Sequence, residues 1–272
     1  MYKINIDNLT KDYGNFRAVD NINININKKE IVGFVGKNGA GKSTTIRCML
    51  NMLFPTLGTI KINNIDSLNT KKLKEEVAYV MGEPFFQGNI TSLELFKFTN
   101  KFNNSSEEDI LYLANYFELN LDKKINSLSL GNKKKVAIIN ALLKKASVII
   151  LDEPTSGLDP LVQQKLFDLL LDLKNKGTTI FLSSHNLQEI EKYCDKVAII
   201  KNGKIVDYID LKDKKIKYQQ VLVYKEKNSE EITLDIKEDI NILILKLSKL
   251  DLEYLEIKNK SIEEEFIDYY KG

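Results

Sequence analysis

GKNGAGKST, residues 36–44, follows the apolar run Ile31-Val32 and precedes a helical pattern. Gly36, four residues, then Gly41, Lys42 and Ser43 is the spacing of a phosphate-binding loop. A plain strand–turn–helix could also use these glycines, but here strand and helix both sit where a phosphate loop needs them. Backbone N–H groups along Gly39, Ala40, Gly41 and Lys42, next to Asn38, can point inward at a β-phosphate, and the helix start adds its positive end. Lys42 would place a charge between β- and γ-phosphates, and Ser43 would be a magnesium ligand. A second stretch, VIILDE, ends an apolar run with Asp152 and Glu153. Asp152 could reach the magnesium through water, and Glu153 could polarise a water aimed at the γ-phosphate. Alone, this is a polar strand end; beside a phosphate loop it completes a site for phosphoryl transfer, which needs positioning and charge neutralisation more than covalent help. His185, the single histidine, follows TTIFLSS. It reads either as a structural histidine or as a γ-phosphate donor at a strand end facing the ligand crevice.

These residues need a scaffold. INIDNLT (4–10) and NINININ (21–27) alternate as half-buried strands and read as an antiparallel pair joined by KDYGNFRAVD. EIVGFVG reads as a buried strand, residues 43–53 as a helix stopped by Pro55, and GTIKINN and VAYVM as strands. From about 84 to 146 the pattern is mostly helical, with apolar stripes in SLELFKFTNKF and EEDILYLANYFEL. ASVIILDEP and TTIFLSSH are buried strands around a helix at 161–175, and KVAIIKNGKIVDYI is a hairpin turning at Asn202-Gly203. The expected fold is α/β: a phosphate-loop nucleoside-triphosphatase core with a mostly parallel sheet, an N-terminal antiparallel β subdomain, a helical insert at 85–135 and a small C-terminal α+β appendix. The expected domains are 1–210 and 211–272. In the second, EDINILILKLSKL reads as a helix, LEYLEIK as a strand and SIEEEFIDYY as a final helix.

With 272 residues, 43% hydrophobic, the chain has material for one large domain plus a small one. Forty Lys+Arg against 38 Asp+Glu give a net charge of +2, so no nucleic-acid partner is expected. Cys48 and Cys194 form no CxxC and suit a reduced compartment. The start MYKINIDNLT has no signal-peptide core, and no apolar run is long enough to span a bilayer.

GKNGAGKST, SLSLGNKKK, VIILDEP, SGLD and SSH occur in that order between residues 36 and 185. In this the chain resembles the nucleotide-binding subunit of an ATP-binding-cassette transporter, over about residues 3–210, and its short insert and the tail ending IEEEFIDYYKG resemble those of bacterial exporter cassettes. The resemblance implies that Tyr13 stacks on adenine and that Lys42, Ser43 and Thr44 bind phosphates and magnesium, with Asp152 behind the metal. It makes Glu153 the catalytic base and His185 the switch residue, and puts Asp159 at a dimer seam. Ser129 and Gly131 become a signature loop that caps ATP on a second subunit, identical or paralogous. Ser129 is itself well placed to cap the following helix. The implied function is ATP hydrolysis, with ATP and Mg2+, powering export of drugs, antimicrobial peptides or lipids through ATP-driven dimerisation. A separate transmembrane permease would dock at the helical insert, and the chain would lie peripherally on the cytoplasmic face of the cell membrane.

The sequence departs from the family pattern at two places. Leu130 stands where the signature has its first glycine, and Gly82 stands where the family commonly has a glutamine that touches magnesium and the attacking water. Glu83 and Gln87 are nearby but out of register. These departures keep open a regulatory cassette with little turnover. A soluble cassette ATPase of translation or DNA repair is the other alternative; the gap of roughly 110 residues between loop and acids argues against it.

Overall fold

The computed structural model describes residues 2–86, 88–103, 105–211, 220–227, 229–236 and 239–259. Gln87, residues 212–219 and the helix expected over SIEEEFIDYY lie outside the described residues. The chain divides into two compact units, Met1–Ile209 and Asp210–Gly272.

In the first unit, β1 (Ile4–Tyr13) and β2 (Phe16–Ile26) pair antiparallel, with β4 (Leu57–Ile62) and the short β5 (Ile65–Asp66) extending the sheet in the order β2-β1-β4-β5. Alternation explains the strands: Ile22, Ile24 and Ile26 are buried, while Asn21 and Asn23 are exposed on the other face. KDYGNFRAVD is not a loop. Both strands run through it and turn only at Gly14-Asn15.

The second sheet carries β3 (Ile31–Val35), β6 (Val77–Val80), β7 (Val148–Asp152), β8 (Thr179–Ser184), β9 (Lys196–Lys201) and β10 (Lys204–Asp210) in the order β10-β9-β3-β8-β7-β6. The pairs β3–β9, β3–β8, β7–β8 and β6–β7 are parallel. The central strands β3, β7 and β8 are buried throughout because both faces are covered. On β3, Val32 and Phe34 pack into a core shared with Ile6, Ile24, Ile46 and Met49. Burying each such side chain fully contributes about 1.5–3 kcal/mol. A Cβ on Gly33, between them, would meet Ile190 Cδ1 at 2.7 Å, so α7 (Leu187–Tyr193) lies close on the opposite face. Asn202 (φ 49°) and Gly203 (φ 78°) turn the β9–β10 hairpin as expected.

Helix α1 spans Lys42–Met49 and is shorter than its apolar pattern predicts. Pro55 does not stop it. Asn51 takes φ 54°, its N–H donates to Cys48 O, and Met52 N–H donates to Arg47 O. That is a left-handed Schellman ending with asparagine in the glycine role. Helix α2 (Thr70–Glu76) precedes β6. The insert holds α3 (Ser92–Asn100), α4 (Glu107–Tyr116) and the start of α5 (Leu130–Leu142). Thr91 and Ser106 open the first two with complete capping boxes. Helix α6 (Pro160–Asn175) follows β7.

In the second unit, β11 (Gln220–Glu226), β12 (Ile232–Asp235) and β13 (Leu252–Asn259) form an antiparallel sheet in the order β12-β11-β13. Helix α8 (Ile240–Leu247) contributes Leu247 to a small core with Leu222 and Tyr224.

Candidate functional site

Parallel pairing delivers the C-terminal ends of β3, β7 and β8 to one edge. Val35 pairs with Ser184 and Asp152 with Ser183, so Gly36, Glu153 and His185 leave the sheet side by side. In open α/β sheets this edge is the ligand crevice.

The loop from Gly36 to Gly41 is set by close contacts behind and open space in front. A Cβ on Gly36 would meet Ile200 O at 2.5 Å, and one on Gly41 would meet Ala18 O at 2.6 Å. Gly41 also has φ 112°, which favours glycine. Gly39 has φ 81°, and a Cβ there would meet nothing within 4 Å, so its front is free for a ligand. The β9–β10 turn holds the loop from the rear, through Gly203 N–H donating to Ala40 O at 3.0 Å. In front lies a pocket of about 420 Å³ lined by Tyr13, Phe16, Asn38, Gly39, Gly41, Lys42, Ser43, Thr44 and Glu153, among others. Phe16, across the hairpin from Tyr13, carries no mark of this role in the sequence; two exposed aromatics at the pocket mouth could flank a flat ring.

Lys42 is buried. Its Nζ donates to Gly36 O at 2.6 Å and lies 3.5 Å from Glu153 Oε1. The other Glu153 oxygen, Oε2, accepts from His185 Nδ1 at 2.6 Å. The carboxylate thus lies between the phosphate-loop lysine and the histidine. Its backbone is held at φ 46°, a left-handed conformation uncommon for a residue with a side chain, of the kind that concentrates at functional sites. Ser183 fixes both acids: its hydroxyl donates to Asp152 Oδ1 at 2.6 Å and accepts from Glu153 N–H at 3.0 Å. Nothing in the sequence marks Ser183 except two serines ending a buried strand.

The residues fit a nucleoside triphosphate with Mg2+. An open glycine arc, a helix start and a buried ammonium suit phosphates. Ser43 and Asp152 are oxygen donors, and among the described residues no cluster of three or more His, Cys, Asp or Glu could hold a metal alone. A magnesium ion here would draw its remaining ligands from phosphate and water, as this ion usually does.

Lys134 is another residue that the sequence pattern does not single out. It sits on α5 in the buried stripe with Ile138 and Ala141, and only 1% of it is exposed. Its Nζ donates to Met81 O at 3.0 Å and to Gly82 O at 2.6 Å. Burial pushes its pKa down to about 8, opposed by the charges of Asp152, Glu153 and Glu83. Gly82 itself abuts the acid: a Cβ there would stand 3.4 Å from Asp152 O and 3.7 Å from its Oδ2. Burial next to Asp152 likewise raises Tyr79 to about 12, and desolvation raises Glu189, whose carboxylate accepts from Thr155.

Ser129, Gly131 and Asp159 are not among the lining of the Lys42 pocket. Ser129 caps α5 by accepting from Asn132 N–H, and Asp159 caps α6 by accepting from Val162 N–H at 3.0 Å. The two segments meet. A Cβ on Gly131 would lie 2.8 Å from Gly157 O, and Leu130, 61% exposed, packs beside Gly157.

The profile of the ABC transporter family matches residues 19–156. An ABC transporter ATP-binding protein of Methanocaldococcus jannaschii is 32% identical over 98% of each chain. The bacitracin transport ATP-binding protein BcrA of Bacillus licheniformis is 37% identical over 76% of this chain and 69% of its own. Among solved structures, an ATP-binding cassette captured as a dimer in a post-hydrolysis state with ADP and phosphate superposes with a TM-score of 0.70. It is 27% identical and covers 76% of this chain and 98% of that one.

Proposed function

We propose a function from one premise: the chain belongs to the ABC transporter family, as an ATP-binding subunit and an ATPase. In the proposed reading it hydrolyses ATP at the pocket in front of Gly39, pairs with a second cassette, and drives transport through a separate membrane subunit. Peptide antibiotics are the favoured cargo class on the similarity to the bacitracin transport subunit, and export is the direction favoured by the short insert and the tail ending IEEEFIDYYKG.

The observation that carries the reading is Glu153 held between Lys42 and His185 at the edge where the phosphate loop opens. Glu153 takes the proton of a water as its oxygen bonds to the γ-phosphorus and the bond to the ADP oxygen breaks. Lys42 turns from Gly36 O to the phosphates and offsets their charge. His185 orients the carboxylate with its ring N–H and would turn a ring N–H to the γ-phosphate when ATP is bound. Tyr13 and Phe16 hold the base. Ser43 and Asp152 would hold the magnesium ion, which supplies charge neutralisation on the phosphate oxygens when bound.

Pairing is supported by the segment where Ser129, Gly131 and Asp159 stand apart from the chain's own pocket, with the Ser129-capped start of α5 suited to an anion. A head-to-tail partner would bring a γ-phosphate to this place. Docking of a permease is supported by a groove of about 380 Å³ between the β core and the insert, lined by Met52, Leu73 and Phe102 among others. Among the described residues, no helix is long and apolar enough to cross a membrane. A peripheral position on the cytoplasmic face follows from the pairing with a permease.

The test is phosphate release at saturating Mg-ATP, by the chain alone and with its membrane subunit in vesicles. Turnover in either arm supports the motor; ATP binding without release in both supports a regulatory cassette. Gly82 favours that second reading, since it offers no side chain beside Asp152. Replacing both unusual residues, Gly82→Gln with Leu130→Gly, is expected to raise turnover several-fold and to leave ATP affinity of the monomer within about two-fold. Equal or lower turnover in a folded double variant would end the weak-motor idea.

The ATP-binding unit is proposed to end near residue 210. All the pocket-lining residues named above lie within Met1–Ile209. Deleting residues 216–272 is therefore expected to leave ATP binding measurable by calorimetry. Loss of binding in a folded truncation would refute that boundary.

A further inference from the structure

We infer that Lys134 is a positioning residue for hydrolysis: through the carbonyls of Met81 and Gly82 it holds the backbone beside Asp152. The inference rests on the reading of Asp152 and Glu153 as the hydrolysis site.

Three observations lead there. First, the placement is costly. An ammonium in the buried stripe of α5 loses its water, and a methionine would fill the same space without that loss. Second, both of its hydrogen bonds go to one place, the two residues after β6. Bonds from a charged donor to carbonyls are shorter and stronger than neutral ones, as the 2.6 Å contact to Gly82 O illustrates. Third, that place is the backbone that abuts Asp152. A glycine without anchoring would leave this segment free to leave the acid. Lys134 removes that freedom from behind, without needing a side chain at position 82.

The lysine also links two ends of the machine. It lies one turn into the helix that Ser129 caps. A force on the start of α5, or on the insert that carries it, therefore reaches the backbone beside Asp152 through a rigid helix and two hydrogen bonds. A surface lysine pairing with an acid could not transmit displacement this way, because its long side chain would simply follow.

The experiment uses the full-length chain with Lys134→Met and Lys134→Gln, and reads whichever retains the parent's melting behaviour. Steady-state ATPase kinetics and amide hydrogen exchange are both measured. The expected result is a kcat lowered about five-fold or more with KM for ATP within about two-fold. Exchange at residues 81–83 is expected to accelerate about five-fold or more, while β3 and β7 keep the parent's protection. Unchanged kcat overturns the inference, whatever the exchange. A fall in kcat without faster exchange at 81–83 also overturns it, because the carbonyl tie would not be the cause. Acceleration spread over the whole core would reduce Lys134 to an ordinary packing residue. A Glu153→Gln arm separates the two levels: if that variant turns over like the parent, the reading of the hydrolysis site falls, and exchange at 81–83 still decides whether Lys134 anchors this backbone.

Discussion

Glu153→Gln is expected to lower phosphate release by about 100-fold or more, the usual scale for losing a general base. The amide keeps the size of the side chain and can still accept from His185 Nδ1, now 2.6 Å from Oε2. Ser183 still receives the backbone N–H of residue 153 and still bonds Asp152. The lost properties are the proton affinity of the carboxylate and its negative charge. The second loss works in favour of ATP, since the charge repels a γ-phosphate. Affinity measured by calorimetry is therefore expected to stay equal or to tighten. ATP-bound pairs, no longer consumed, are expected to accumulate and to be visible by light scattering. Turnover near the parent's rate would remove Glu153 from the role of base.

Lys42→Ala is expected to act earlier, on binding itself. The ammonium is buried, so its attraction for a phosphate is only weakly screened. Charge-assisted hydrogen bonds of this kind are worth about 1.5–3 kcal/mol, which corresponds to roughly 10- to 100-fold in affinity. Turnover at saturating ATP is expected to fall as well, because the same charge serves the transition state. The variant should fold: Lys42 gives up one carbonyl partner at Gly36 and a 3.5 Å ion pair with Glu153, and alanine is a good helix former. Unchanged affinity in calorimetry would show that the lysine points elsewhere when nucleotide is bound.

What can be read from the sequence has its signal in one short continuous segment. Gly36 to Thr44, the acids after VIIL, and the Asn202-Gly203 turn each carry their chemistry within a few neighbours. The α/β order and the three-part layout are legible for the same reason, from strand runs and apolar stripes. Helices α2 and α7 are not, because each has seven residues and too few apolar positions to show a period. The end of α1 differs from its expected place because a left-handed asparagine leaves a weaker mark than a proline. Ser183, Phe16 and Lys134 escape a sequence reading because their contacts exist only across the fold. Ser183 acts on the neighbouring strand, Phe16 stands across a hairpin, and Lys134 reaches a backbone some fifty residues away in sequence. Spacing does hold one clue to Lys134: it falls four residues before Ile138, where a surface lysine would not be expected.

The strand order has a consequence for biogenesis. The phosphate loop hangs from β3, residues 31–35, whose hydrogen-bonding neighbours are β8 and β9, residues 179–184 and 196–201. Both are made some 150 residues later. A ribosome-bound chain can close the first hairpin, Ile4–Ile26, from local contacts soon after it emerges. Its glycine arc then has no floor, and the turn that braces Ala40 has not been synthesised. Long-range pairing of this kind is slow and closes last. Capacity for nucleotide therefore arrives together with the finished core, so the chain is not committed to its fuel while half-made.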